Sequence, residues 1–147
     1  MPDKFDRETR SRMMSGIKSK GTKPEMAVRK YLFNNGFRYR LNVSYLPGKP
    51  DILLSKYRAA IFIHGCFWHG HNCHYFVWPK SNEEFWQMKI MGNKEKDEMV
   101  RSSLHELGYR VCIIWECVTR DMDIFPASMK TLQEWLNSNT AYLELSI

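Results

Sequence analysis

Asp51-Ile52-Leu53-Leu54-Ser55-Lys56-Tyr57-Arg58-Ala59-Ala60-Ile61-Phe62-Ile63 holds two short apolar runs separated by a polar turn. Neither run alternates apolar with polar residues, as a strand with one wet face would. Each therefore reads as a strand buried on both faces, in a sheet covered by helices. The preceding Leu46-Pro47-Gly48-Lys49-Pro50 is a turn. Further upstream, Thr22-Lys23-Pro24-Glu25 carries three helix-start signals: Thr as N-cap, Pro in the first turn and Glu three residues after the cap. That helix is predicted to reach about Asn35, with Ala27, Val28, Tyr31 and Leu32 on one face and Gly36 beyond its end. A β-like stretch spans Phe37 to Val43. Downstream, Ser81-Asn82-Glu83-Glu84 is expected to cap a long helix reaching about Leu107 and closed by Gly108. Tyr109 to Trp115 reads as another strand, apolar apart from Arg110, and a last helix is expected from about Ala127 to Asn137 after Pro126. The order helix, strands, helix, strand, helix predicts an α/β sandwich around a mixed sheet.

At 147 residues and 44% hydrophobic, the chain has the size and apolar content of one domain with a real core, so residues 1–147 are taken as a single unit. Lys and Arg number 22 against 16 Asp and Glu, a formal charge of +6 that favours a polyanionic partner. Residues 1–23 concentrate that charge: Lys4, Arg7, Arg10, Arg12, Lys18, Lys20 and Lys23 stand against three acids, with almost no apolar periodicity. The segment reads as a basic arm suited to gripping phosphates. No stretch approaches the roughly 18 apolar residues of a membrane helix, and the basic start lacks the apolar core of a signal peptide. A cytosolic, monomeric protein without membrane contacts is expected.

His64-Gly65-Cys66-Phe67-Trp68-His69-Gly70-His71-Asn72-Cys73-His74 gathers four of the five histidines and two of the four cysteines. Without an export signal, metal is a better account of these cysteines than disulfides. Cys66, His71 and Cys73 are candidate zinc ligands, with Cys117, just past the Tyr109–Trp115 strand, as the natural fourth. Cys112 lies inside that strand, where a small buried thiol is the commoner fate. Asp51 and His64 fall at the same end of an antiparallel pair, where a carboxylate can bind Mg²⁺. The residues alone leave Asp51 equally explicable by turn chemistry and Glu25 by its capping role. Phe67, Trp68 and Trp86 are candidates either for the core or, in a basic protein, for stacking on bases.

Taken together, Thr9-Arg10-Ser11, Leu46-Pro47-Gly48-Lys49-Pro50-Asp51, Phe62-Ile63-His64-Gly65-Cys66-Phe67-Trp68-His69 with His71 and Cys73, Phe85-Trp86 and Trp115-Glu116-Cys117 resemble the very-short-patch repair endonucleases, in order from about residue 7 to residue 120. The resemblance implies a restriction-endonuclease-like fold, a structural Zn²⁺ and Mg²⁺-dependent nicking of double-stranded DNA 5′ to the thymine of a T:G mismatch. It also implies recruitment of a mismatch-repair ATPase, and so a place of action at the nucleoid. By the same resemblance Asp51 and the backbone carbonyl of Ile63 bind Mg²⁺, Glu25 and His64 hold its waters, and His69 handles the proton. Zinc falls to Cys66, His71, Cys73 and Cys117. Phe67, Trp68 and Trp86 would enter the duplex beside the mismatch, the arm with Arg10, Arg12 and Met14 would clasp the opposite groove, and Lys89 and Arg120 would touch DNA. The chain departs from the family at Ile63, where a threonine is usual, and at Gly70 and Asn72 within a run of histidines. The acidic-x-Lys element of related nucleases is absent, as it is from the repair family. Two rivals remain at this level: a zinc-containing DNA-binding module without cleavage, and a nuclease of the same fold acting on another lesion.

Overall fold

The computed structural model describes residues 21–147, so Arg10, Arg12 and Met14, expected to contact DNA, lie outside the described residues. Helix α1 (Lys23–Asn34) leads into β1 (Arg40–Leu41), β2 (Ile52–Leu54), a 3-10 turn over Ser55–Tyr57 and β3 (Ala59–His64). After a long loop come α2 (Glu83–Glu106), β4 (Arg110–Trp115), the short α3 (Glu116–Arg120), α4 (Ile124–Leu136) and β5 (Tyr142–Leu145). The five strands form one mixed sheet in the order β1-β2-β3-β4-β5. β1, β2 and β3 pair antiparallel, then β3, β4 and β5 pair parallel.

Ile52, Leu53 and Leu54 are all buried, as are Val111 to Trp115. Successive strand residues point to opposite faces, so burial of every one means that both faces are covered. α2 packs on β4, while α1, α3 and α4 pack on one another. Val28 and Leu32 bring α1 into the core, and Met129, Leu132, Trp135 and Leu136 do the same for α4.

The local start of α1 follows its sequence. Thr22 accepts the Glu25 N–H at 3.3 Å, and the Glu25 carboxylate turns back onto the Gly21 N–H at 3.0 Å. The turn before β2 is set by Pro47-Gly48: Gly48 has φ +72° and the Lys49 N–H donates to the Leu46 carbonyl at 3.1 Å. This is the pattern of a turn that needs left-handed backbone at its third residue. A Cβ on Gly48 would also collide with Val100 of α2, so the glycine lets the turn sit directly against that helix.

Four local features differ from expectation. β1 has only two residues, because Asn42 adopts φ +48° and ends the extended run. α2 has no side-chain cap: Asn82 is left-handed at φ +56°, a conformation asparagine tolerates, while Glu83 and Glu84 complement the helix dipole. α4 begins before Pro126, not after it, since a first-turn position has no intrahelical partner for its N–H. Asp121 caps this start, accepting from the N–H groups of Asp123 and Ile124. Finally, β5 adds an edge strand that Tyr109–Trp115 was not expected to have beside it. Among the described residues, no helix is long and apolar enough to cross a membrane.

Candidate active site and metal centre

Pro50 and the Pro-Gly turn deliver Asp51 to the start of β2, and the antiparallel register of β2 with β3, which pairs Ile52 with Ile61, brings it to the His64 end of β3. The Ile63 N–H donates to Asp51 Oδ2 at 2.8 Å. Glu25 approaches from the first turn of α1 and His69 from the loop after β3. All line one cleft of about 710 Å³, together with Lys49, Asn93, Lys96, Asp97, Arg101 and Trp68. Burial raises the Asp51 carboxyl to about 6, with Glu25 adding to the rise against the lowering effect of the Ile63 hydrogen bond. Glu25 is itself buried, with Arg29 Nη1 at 3.5 Å. A buried and a partly buried carboxylate at one cleft make a place where a cation would relieve both desolvation and repulsion.

The histidines form a stacked pair. The His64 and His69 rings lie 3.8 Å apart with planes 3° from parallel. His69 Nδ1 is 2.6 Å from Asp97 Oδ2, and His64 Nδ1 is 4.0 Å from the same oxygen. Burial, then the neighbouring His69, pushes His64 down to about 3 despite Asp97, so His64 is a neutral imidazole near pH 7. With Nδ1 of His69 directed at a carboxylate, the proton belongs on that nitrogen and Nε2 is left as the basic atom.

Asp97 was not among the candidates from sequence. Its signal is a stripe on α2: Ile90, Asn93, Asp97, Val100 and Leu104 recur at spacings of three and four, and two of the five are polar. Both polar members meet loop 65–82. Asp97 takes His69, and Asn93 Nδ2 donates to the Trp68 carbonyl at 2.7 Å.

A second cluster lies beyond the ends of β3 and β4. Their parallel register sets His64 opposite Trp115, so Cys66 and Cys117, two residues further on, leave the sheet side by side. The His71 N–H closes onto the Cys66 carbonyl at 2.9 Å, and the Cys73 N–H onto the His71 carbonyl at 2.9 Å. Donor atoms of Cys66, His71, Cys73 and Cys117 all fall within 4.8 Å of one another. His71 Nδ1 faces Cys117 Sγ at 3.6 Å, while Nε2 is held 2.8 Å from Ser146 Oγ, leaving Nδ1 as the inward donor. Burial raises the Cys66 and Cys117 thiols, against a lowering effect of the nearby Cys117 and Ile147 backbone respectively. Three thiols and an oriented imidazole, four donors in all, can hold a metal ion. Cys112 is fully buried in β4 and lies outside this set.

Phe67, Trp68 and Trp86 form one aromatic group, with ring centroids 5.2 to 5.8 Å apart. Only Trp68 among them is well exposed, at 50%, because Phe67 and Trp86 cover each other and Phe67 also stacks on Phe76. Lys89 and Arg120 are exposed but do not line the cleft. Arg120 is held by Glu116, at 3.1 and 2.7 Å, and Glu116 Oε1 accepts the Cys66 N–H at 3.3 Å.

The family model described as DNA mismatch endonuclease Vsr matches residues 2–75. A type II nicking enzyme of Neisseria meningitidis is 49% identical over 124 residues, covering 84% of this chain and 89% of the relative. A type II nicking enzyme of Xanthomonas oryzae is 39% identical over 132 residues, covering 90% and 97%. The DNA mismatch endonuclease Vsr of Escherichia coli is 41% identical over 138 residues, covering 92% and 88%. With a carboxylate and histidine cleft beside a cysteine and histidine cluster, and with relatives of this extent, the chain belongs to the Vsr family of DNA endonucleases.

Proposed function

We propose that this protein nicks duplex DNA on the 5′ side of the thymine in a T:G mismatch, using Mg²⁺ at the cleft and Zn²⁺ in the cysteine cluster. The observation that carries the reading is the convergence of Glu25, Asp51, His64 and His69 on one cleft edged by the exposed Trp68. Asp51 and the Ile63 carbonyl are assigned to the catalytic cation, whose chemistry is Lewis-acid stabilisation of charge on the phosphodiester. His69, anchored through Nδ1 by Asp97, presents Nε2 to take the proton of the attacking water. Glu25 and the neutral His64 orient water in the cleft. The thiol-rich, closed donor set favours zinc over a hard cation and suits a structural role. Three antiparallel strands continued by parallel ones, with an acidic residue at the sheet end, support the restriction-endonuclease-like reading. Recruitment of a mismatch-repair ATPase rests on the family resemblance alone.

The deciding experiment compares T:G and T:A duplexes, labelled on each strand, with and without Mg²⁺. A single nick in the thymine strand of the mismatched duplex, only with Mg²⁺, is expected. Equal cutting of both duplexes would assign another substrate, and binding without cutting would make the protein a recognition module.

A further inference from the structure

Trp115 stands between the two histidine groups, and the cleavage reading gives it no task. His71 lies flat against the indole, with centroids 4.2 Å apart and planes 10° from parallel. The other two imidazoles meet it edge to face, His64 at 5.3 Å and 73°, His69 at 6.2 Å and 70°. Since His64 and His69 are stacked on each other, a shift of the indole acts on them as a pair.

The rotation of the indole is fixed by one polar bond. Its Nε1–H donates to Glu144 Oε2 at 2.9 Å, and the other Glu144 oxygen accepts from the Tyr142 hydroxyl at 2.8 Å. Tyr142 in turn carries the Arg101 guanidinium over its ring at 4.4 Å. Glu144 and Tyr142 both belong to β5, and Ser146, which holds His71 Nε2, follows directly after that strand. Apolar contact alone sets how closely rings approach; the N–H bond selects one rotation of a large flat side chain.

We propose that Trp115, locked by Glu144, is a positioning residue that keeps the His64–His69 pair in register with the cysteine–histidine cluster, so that a disturbance at His71 reaches the cleavage histidines. Its kinetic consequence rests on the reading of His64 and His69 as cleavage residues; its structural consequence does not.

Three variants of the full chain test this: Glu144→Leu, Glu144→Gln and Trp115→Phe. Imidazole NMR signals are recorded in Mg²⁺-free, zinc-loaded protein, and kcat and KM are measured on the mismatched duplex. Glu144→Leu should move the His64, His69 and His71 signals together and lower kcat about tenfold, with KM within about twofold of the parent. Glu144→Gln keeps an acceptor for the indole N–H and should restore both. Trp115→Phe keeps an aromatic face for His71 but has no N–H, so it should behave like Glu144→Leu, and it carries the test where that variant does not fold. Unchanged His64 and His69 signals in Trp115→Phe would overturn the proposal. Signals that move in a protein that cuts no duplex would sustain the coupling while ending the nicking reading.

Discussion

At Asp51, the burial that readies a carboxylate for a cation also makes it a liability without one. Its folded value of about 6 lies above the ordinary 3.8, so the folded chain holds the proton more tightly than the unfolded chain does. Stability in Mg²⁺-free buffer should therefore fall as pH rises from about 4 to about 6 and stay lower above that. Asp51→Asn keeps an oxygen for the Ile63 N–H and removes the charge. It should exceed the parent by up to about 3 kcal/mol at pH 8, with the gap closing below about pH 4. Urea unfolding at pH 4, 6 and 8 checks this, and an Asn variant less stable than the parent at pH 8 contradicts it. Added Mg²⁺ should stabilise the parent and not the variant. His64 has the opposite sign: held near 3 against an ordinary 6.5, it withdraws stability as pH falls through that window. Asp97 offers a third residue-scale test. Asp97→Ala frees the His69 ring, so kcat should drop by about 10²-fold with duplex affinity unchanged.

Among the elements, the parallel pair β3–β4 does the most for function, because its register delivers both a cleft histidine and two cysteines to one end of the sheet. Cys117→Ser should lose the metal and lower the melting temperature, while Cys112→Ser, altering a buried thiol outside the cluster, should keep full zinc content. Metal analysis of the two purified variants decides between them, and the reverse pattern would move the fourth ligand to Cys112. The cores of β2, β3 and β4 were legible in sequence because unbroken apolar runs between turn residues report burial on two faces. Thr22, Gly36 and Gly108 were legible because caps and left-handed ends are chemistry within a few residues. β5 was not: Tyr142-Leu143-Glu144-Leu145 is a four-residue edge strand with a charge in it, formed by pairing with β4 and not by its own pattern. Asp97 was hidden for a related reason. A carboxylate in a helix rich in Lys and Glu looks like solvated surface until the helix face it occupies is known. Cys66, His71, Cys73 and Cys117 could be grouped from spacing, but Ser146 and Trp115 around them depend on how the chain's far end returns to the sheet.

For the whole molecule, the net charge of +6 and the exposed ring of Trp68 at the cleft edge have separable consequences on DNA. Charge acts on every phosphate alike, so Arg10→Ala and Arg12→Ala should weaken matched and mismatched duplexes equally and flatten the salt dependence of binding. A ring that stacks at the mismatch acts only where a base step opens. Trp68 separates this effect from folding better than its neighbours do. It is half exposed, so truncation removes less buried contact than loss of Phe67, which packs on Trp68, Phe76 and Trp86 and holds the loop itself. Base–aromatic stacking is worth about 1–3 kcal/mol, so Trp68→Ala should reduce the T:G to T:A cleavage ratio by about 5- to 150-fold. Its melting temperature should fall by only a few degrees, since about half of the indole is already in water. Both quantities are measured on one preparation. A protein that melts many degrees lower with its cleavage ratio intact would assign Trp68 to packing and leave mismatch discrimination to other residues.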